Sequence, residues 1–203
     1  LHKGQIIQSH SMHFFHLASP DLLLGFDADP AIRNVVGIIQ ADPELALKAV
    51  KLRTYGQEII RRLSGRRIHM HWAVPGGVST PLSEADRDWM LSQLDEIISY
   101  IQDGIDVGKN WTMANMDVVS RFANFRSNYM GMVNDGALEL YDGPVRLIDR
   151  DGDLLEEFDG RNYLDYIEER VEDWSYLKFP YYEKMGWPDG VYRVAPLGRL
   201  NVA

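Results

Sequence analysis

Apolar positions recur with helical spacing through the first two-thirds of this chain and with strand spacing after that. At 5–17 the residues Ile6, Ile7, Met12, Phe14, Phe15 and Leu17 fall too densely for a surface strand and predict a mostly buried helix. Ser19-Pro20-Asp21 is expected to end it, because the residue before proline is pushed out of the helical region. Asp42-Pro43-Glu44 reads as a helix start, with Asp at the cap, proline first and an acid in the first turn. Leu47, Val50, Ile59, Ile60 and Leu63 carry this helix to Ser64-Gly65, where glycine supplies a left-handed cap.

The stretch 65–81 is loop-like, with a short extended core at Trp72-Ala73-Val74 followed by Pro75-Gly76-Gly77. Ser83 then caps a long helix in which Met90, Leu91, Leu94, Ile97, Ile98, Ile101 and Ile105 keep helical spacing. Gly104 and Gly108 are expected to bracket its end. A further helix is expected over 115–133, with Met116, Val119, Phe122 and Met130 on its apolar side.

After Asn134-Asp135-Gly136 the pattern predicts short strands at 138–141, 145–148 and 154–158, with Asp151-Gly152 as a hairpin turn. A short helix at 161–173 and an aromatic, irregular segment with Trp174, Tyr176, Phe179, Tyr181, Tyr182, Trp187 and Tyr192 complete the chain. The expected class is α+β and mainly helical, a helix-bundle core with a small antiparallel β-sheet. One domain over 1–203 is expected, with 138–158 as a small β insertion.

Composition narrows the chemistry. The chain has 203 residues, 45% hydrophobic and 25% charged, which is globular composition. The cysteine count is 0, so thiolate metal sites, cysteine nucleophiles and disulfides are all excluded within it. That absence also fits a cytosolic protein. A net charge of -9 argues against a nucleic-acid surface, which needs clustered basic residues. No apolar run approaches the ~20 residues of a bilayer span, and no signal peptide is recognisable. Leu1-His2-Lys3 leads straight into a helical pattern, and Leu200-Asn201-Val202-Ala203 stops in apolar sequence. Both ends read as cuts through a longer protein.

All six histidines fall in two groups: His2, His10, His13 and His16, then His69 and His71. His10, His13 and Leu17 share a helix face. The two histidines are candidates for metal ligation or proton carriage, or for core positions bonded to carbonyls and carboxylates. The zincin pattern of two histidines four apart around a glutamate is missing. His69 and His71 alternate and would point the same way on a strand. Asp149, Asp151 and Asp153 resemble the opening of a calcium loop, but the glycine falls at the fourth position, so a hairpin turn is expected. Pro75-Gly76-Gly77 lacks the lysine of a phosphate loop and reads as a tight turn with close backbone packing. At this level the residues name no reaction.

Three blocks in order supply a resemblance. Gln8-Ser9-His10-Ser11-Met12-His13-Phe14-Phe15-His16-Leu17 with Ser19-Pro20-Asp21 is the first, and Gly65-Arg66-Arg67-Ile68-His69 with Pro75-Gly76-Gly77-Val78 is the second. The third runs through Lys178-Phe179-Pro180-Tyr181-Tyr182 and Gly186-Trp187-Pro188-Asp189-Gly190 to Tyr192-Arg193-Val194-Ala195-Pro196-Leu197-Gly198-Arg199. Together they resemble [NiFe]-hydrogenase large subunits, in particular the soluble, NAD- or cofactor-linked bidirectional branch, over nearly the whole chain. In that family the Ni-Fe centre hangs from two Cys-x-x-Cys pairs, one near each end of the large subunit. This chain has neither, so it resembles an internal fragment that cannot bind the cluster alone. It departs further with Met70 after His69, where the family has proline, and with Ala195-Pro196-Leu197-Gly198-Arg199 in place of Gly-Pro-Leu-Ala-Arg. Ser9 stands where other branches have an aspartate near the metals.

The resemblance implies reversible H2 oxidation to protons and electrons in the intact protein, with this chain inactive on its own. It implies an iron-sulfur small subunit, together with NAD-linked diaphorase subunits, as partners, and a cytoplasmic location. Ser9, His10 and His13 are then expected to orient the cofactor-bearing core by hydrogen bonds, with no catalytic residue and no metal ligand in this chain. Arg199 and the Gly76-Gly77 turn are expected to be structural. Two other classes stay open: a cysteine-free paralogue with a structural or assembly role in a redox complex, and a helical binding module without a redox role. A fragment with bared apolar faces is also expected to self-associate, above all through its first helix.

Overall fold

α4, Pro43–Ser64, is the axis on which the helical half is assembled. Its N-cap is Asp42, whose Oδ1 accepts from Leu45 N at 2.9 Å. Its C-cap is Gly65 at φ 75°, where the left-handed turn favours a residue without a Cβ. Both ends therefore lie where the sequence sets them. Leu45, Ala49, Leu52, Tyr55, Ile59 and Leu63 recur every three or four residues along α4 and form the buried core with Phe15 and Ile97. The Asp42→Ala variant is expected to lose about 1 kcal/mol of stability. Urea melts of the two proteins check this.

The computed structural model describes residues 1–203, and 51% of them are helical, with small antiparallel sheets beside them. The fold class is the α+β, mainly helical one expected. The chain divides into two compact units, Leu1–Phe122 and Ala123–Ala203, where the sequence suggests one domain with a β insertion. The first unit is helical apart from a small hairpin. The second carries the larger sheet together with one terminal helix.

In the first unit α1, His2–Ser11, packs along α4. A β-carbon on Gly4 would lie 2.8 Å from Ile59 Cγ2, and one on Gly56 would lie 2.6 Å from Gln8 N. The two glycines thus let the helix backbones approach. A π-helical stretch, Met12–Ala18, and α2, Ser19–Leu24, continue α1 without a break. Pro20 does not end the helix as expected. It falls in the first turn of α2, where the π stretch has already given way to a new hydrogen-bond register and a missing N–H is tolerated. α3, Val35–Ala41, is capped by the Asn34 side chain, which accepts from Val36 N and Gly37 N.

β1, Ala73–Val74, and β2, Gly77–Val78, make a two-residue hairpin about Pro75-Gly76. The turn is as expected, yet no atom lies within 4 Å of a β-carbon built on Gly76 or Gly77. Their backbone angles, φ 89° and 153°, are what call for glycine. Ser83 caps α5, Glu84–Ser92, accepting from Asp86 N at 3.1 Å. The expected single helix is divided at Gln93 into α5 and α6, Leu94–Ala114. α4 holds both: Arg62 pairs with Asp86 at 2.9 Å and lies over the Trp89 ring, Tyr55 OH donates to the Met90 carbonyl at 3.0 Å, and Lys48 pairs with Asp103 at 2.9 Å.

The second unit departs most from the helical expectation. Of the helix expected over 115–133, only α7, Met116–Val119, forms, and it lies at the end of the first unit. Residues Asn128–Asn134 are instead β3, the central strand. β3 is antiparallel to β5, Val145–Ile148, with Met130 opposite Leu147, and to β4, Ala137–Leu138. β6, Leu154–Phe158, pairs antiparallel with β5, and β9, Tyr192–Arg193, runs parallel to β3. Tertiary partners override the helical spacing here. Asn128 is fully buried and donates from Nδ2 to the Asp189 carbonyl at 2.9 Å. α8, Ala195–Val202, crosses β3 so closely that a β-carbon on Gly131 would lie 2.9 Å from Val202 Cγ2 and 3.1 Å from Arg199 Cα.

The helix expected over 161–173 is likewise absent. Asp159 caps a 3₁₀ turn at Gly160–Asp165. Then β7, Ile167–Arg170, pairs with β8, Phe179–Tyr182, which draws the Glu-Glu-Arg run into an extended edge. The Asp151-Gly152 hairpin is present: Asp149 Oδ1 accepts from Asp151 N at 2.8 Å and Asp153 N at 2.9 Å. That is the bonding of a turn, which explains why the three aspartates alternate.

Candidate functional site

Ser9, His10 and His13 flank a change of helical pitch. α1 ends at Ser11, and the next seven residues wind as a π-helix, a rare form that occurs often at functional sites. Hydroxyls at its two ends take up backbone carbonyls: Ser11 Oγ donates to Ile7 O at 2.7 Å, and Ser19 Oγ donates to Phe15 O. Phe14 and Phe15 meet edge to face with ring centroids 4.8 Å apart. They press on α6 where it has no side chains. A β-carbon on Gly104 would lie 2.7 Å from Phe15 Cζ, and one on Gly108 would lie 3.5 Å from Phe14 Cζ. These two glycines do not end the helix, as the sequence suggested. Gly104 makes room for the Phe15 ring, whereas Gly108 meets Phe14 at ordinary contact distance, and α6 runs on to Ala114.

α1, the π stretch and α6 enclose an open apolar cleft of about 360 Å³. Ile6, Ile7, Phe14, Ile101 and Ile105 line it, and His10 is the one titratable residue on its wall. His10 and His13 are exposed, and Ser9 is half-buried. Of the three, only His10 belongs to the cleft.

His16, on the same π stretch, has Nδ1 buried without a hydrogen-bond partner, as is Arg53 Nε. Burial lowers the pKa of this imidazole below its ordinary 6.5; a hydrogen bond to the Ser11 backbone offsets part of that, and the Arg53 cation lowers it again. A ring that charges less readily in the folded state binds fewer protons there than in the unfolded one. Its contribution to stability is then complete above pH 6.5 and is lost as pH falls from 6.5 through the folded pKa. Replacing His16 by glutamine is expected to flatten the loss of stability in that window. Urea midpoints of both proteins between roughly pH 7 and pH 5 test it; parallel curves would contradict the burial argument.

His69 and His71 lie in the irregular segment before β1, His69 at φ 51°, so no strand aligns their side chains. No three histidine, aspartate or glutamate side chains come close enough to hold a metal ion. With no cysteine present, the residues of this chain do not fit a nickel–iron centre by themselves. Arg199 sits on α8 against β3 in the second unit. Sequence reasoning missed the cleft and Arg53. The available signal for the cleft was that α6 carries more apolar residues than one helix face can bury.

No family model matches this chain. It is similar to a vhu-type F420-non-reducing hydrogenase subunit of Methanococcus voltae, with 43% identity over 202 residues, 100% of this chain and 48% of that protein. It is also similar to the beta subunit of the NAD-reducing hydrogenase HoxS of Cupriavidus necator, 41% identical over 208 residues, 99% of this chain and 43% of that one. The chain thus spans about half the length of the curated relatives it matches. Among solved structures, the NAD+-reducing [NiFe]-hydrogenase in the H2-reduced state superposes with a TM-score of 0.93 at 42% identity, covering 98% of this chain and 45% of that one. The Ni-Fe-Se hydrogenase from D. vulgaris Hildenborough superposes at 0.70 with 17% identity, a likeness of fold. No helix here is long and apolar enough to cross a membrane.

Proposed function

We propose that this chain is the central part of the large, catalytic subunit of a nickel–iron hydrogenase that oxidises H2 reversibly. The observation that carries the reading is the match over its whole length to hydrogenase subunits about twice as long, with a TM-score of 0.93 to one of them. The nickel–iron centre, where H2 is split, would be held by thiolates outside these residues. This chain would supply a scaffold: α1 and its π turn present Ser9, His10 and His13 as hydrogen-bonding groups that orient what the rest of the large subunit brings. An iron-sulfur small subunit, together with NAD-linked diaphorase subunits, is the set of partners this reading assigns, in a cytoplasmic enzyme.

Elemental analysis tests the assignment. The purified 203-residue chain is expected to carry no stoichiometric nickel or iron, whereas the full-length protein should hold both metals in comparable amounts. Nickel held by the 203-residue chain would overturn the reading. A full-length protein without either metal would instead favour a cysteine-free paralogue with a structural role.

A further inference from the structure

α6 carries two apolar rows. Ile97, Tyr100, Gly104 and Val107, spaced three and four apart, turn into the core of the first unit. Leu94, Ile98, Ile101 and Ile105 repeat the same spacing on the neighbouring side and remain 36%, 59%, 41% and 45% exposed. This second row has the a/d spacing by which one helix packs along another, and it borders the cleft whose opposite wall is α1. One row suffices to anchor α6 to α4. The other is a seam without a partner, beside a groove about 360 Å³ in volume.

We infer that the α1–α6 groove is the seat of an apolar helix supplied by the half of the full-length protein that lies outside these residues. The inference rests on the reading under Proposed function, since it needs the longer chain. Three observations single out this occupant. The relatives that match the chain over 100% and 99% of its length have 52% and 57% of their own length outside the match. The elements that shape the groove belong to a fold that superposes on the solved hydrogenase chain at a TM-score of 0.93 over 98% of this chain. Its walls are apolar apart from His10 and Ser11, which fits the apolar face of an amphipathic helix held at i, i+3, i+4 and i+7 positions.

The test is the double variant Ile101→Glu/Ile105→Glu, made both in the full-length protein and in the 203-residue chain. In the short chain both side chains are at the surface. There the melting temperature is expected to hold within about 2 °C, since exposed substitutions are close to neutral, and binding of a dye for apolar surface should fall. In the full-length protein two carboxylates would enter a packed seam, and melting is expected about 10 °C lower or more. A full-length variant that melts like its parent would overturn the groove inference while leaving the hydrogenase reading intact. A natural gene product no longer than 203 residues would overturn the hydrogenase reading first. Sedimentation of the full-length protein separates the remaining occupant: a full-length protein that is dimeric, and becomes monomeric in the double variant, would give the groove to a second copy and contradict the inference.

Discussion

Replacing Gly56 by leucine is expected to push α1 off α4 and to destabilise the helical unit by roughly 1–3 kcal/mol. The atoms in the way are backbone: a β-carbon there would lie 2.6 Å from Gln8 N and 2.8 Å from Gly4 O. No side-chain rotation relieves that contact, so the helices must separate and bare the core between them. Gly56→Ala is the milder form. Its helix propensity gain of about 1 kcal/mol opposes the clash, and a net loss is still expected. Gly108→Ala gives the contrast. The nearest atom to its β-carbon would be Phe14 Cζ at 3.5 Å, ordinary contact, so the propensity gain of about 1 kcal/mol should survive as added stability. Opposite signs for one exchange at two helical glycines, read from denaturant melts, would establish that the α1–α4 approach is real. Equal signs would contradict it.

The second large effect is expected in the other unit. Leu147 is fully buried on β5, between the central strand β3 and β6. Truncation to alanine removes a close-packed side chain that the rigid sheet cannot follow, and should lower stability by about 2–5 kcal/mol. Leu154→Ala on β6 serves as the comparison. Leu154 is 61% exposed, and its loss should change stability by less than about 0.5 kcal/mol. A similar loss at both positions would contradict the placement of the core beside β3 and β5.

The elements that the sequence displays best are those set by local chemistry. Asp42, Gly65 and Ser83 act through their own caps, and Asp149 through its own turn. These interactions span four residues or fewer and are written in the residue order. What the sequence hides is set at long range. Asn128 to Asn134 has a helix-like apolar spacing, yet it is a strand because β5, β9 and α8 meet it there. The run at 167–170 extends because β8 pairs with it. Gly104 looks like helix punctuation until Phe15, some ninety residues away in sequence, is seen to press on α6. The same holds for the site. His10 and His13 stand out as members of a histidine group and Ser9 by the family resemblance, whereas the cleft that takes in His10 requires α6 in place beside α1.

The measurement that bears most directly on the proposed function is H2-dependent dye reduction by the natural gene product co-purified with its partner subunits. Turnover is predicted for the complex and none for the 203-residue chain, whose residues lack a ligand set for the metals. A complex that holds nickel and iron yet neither takes up nor evolves H2 would contradict this, as would H2-dependent reduction by the chain alone.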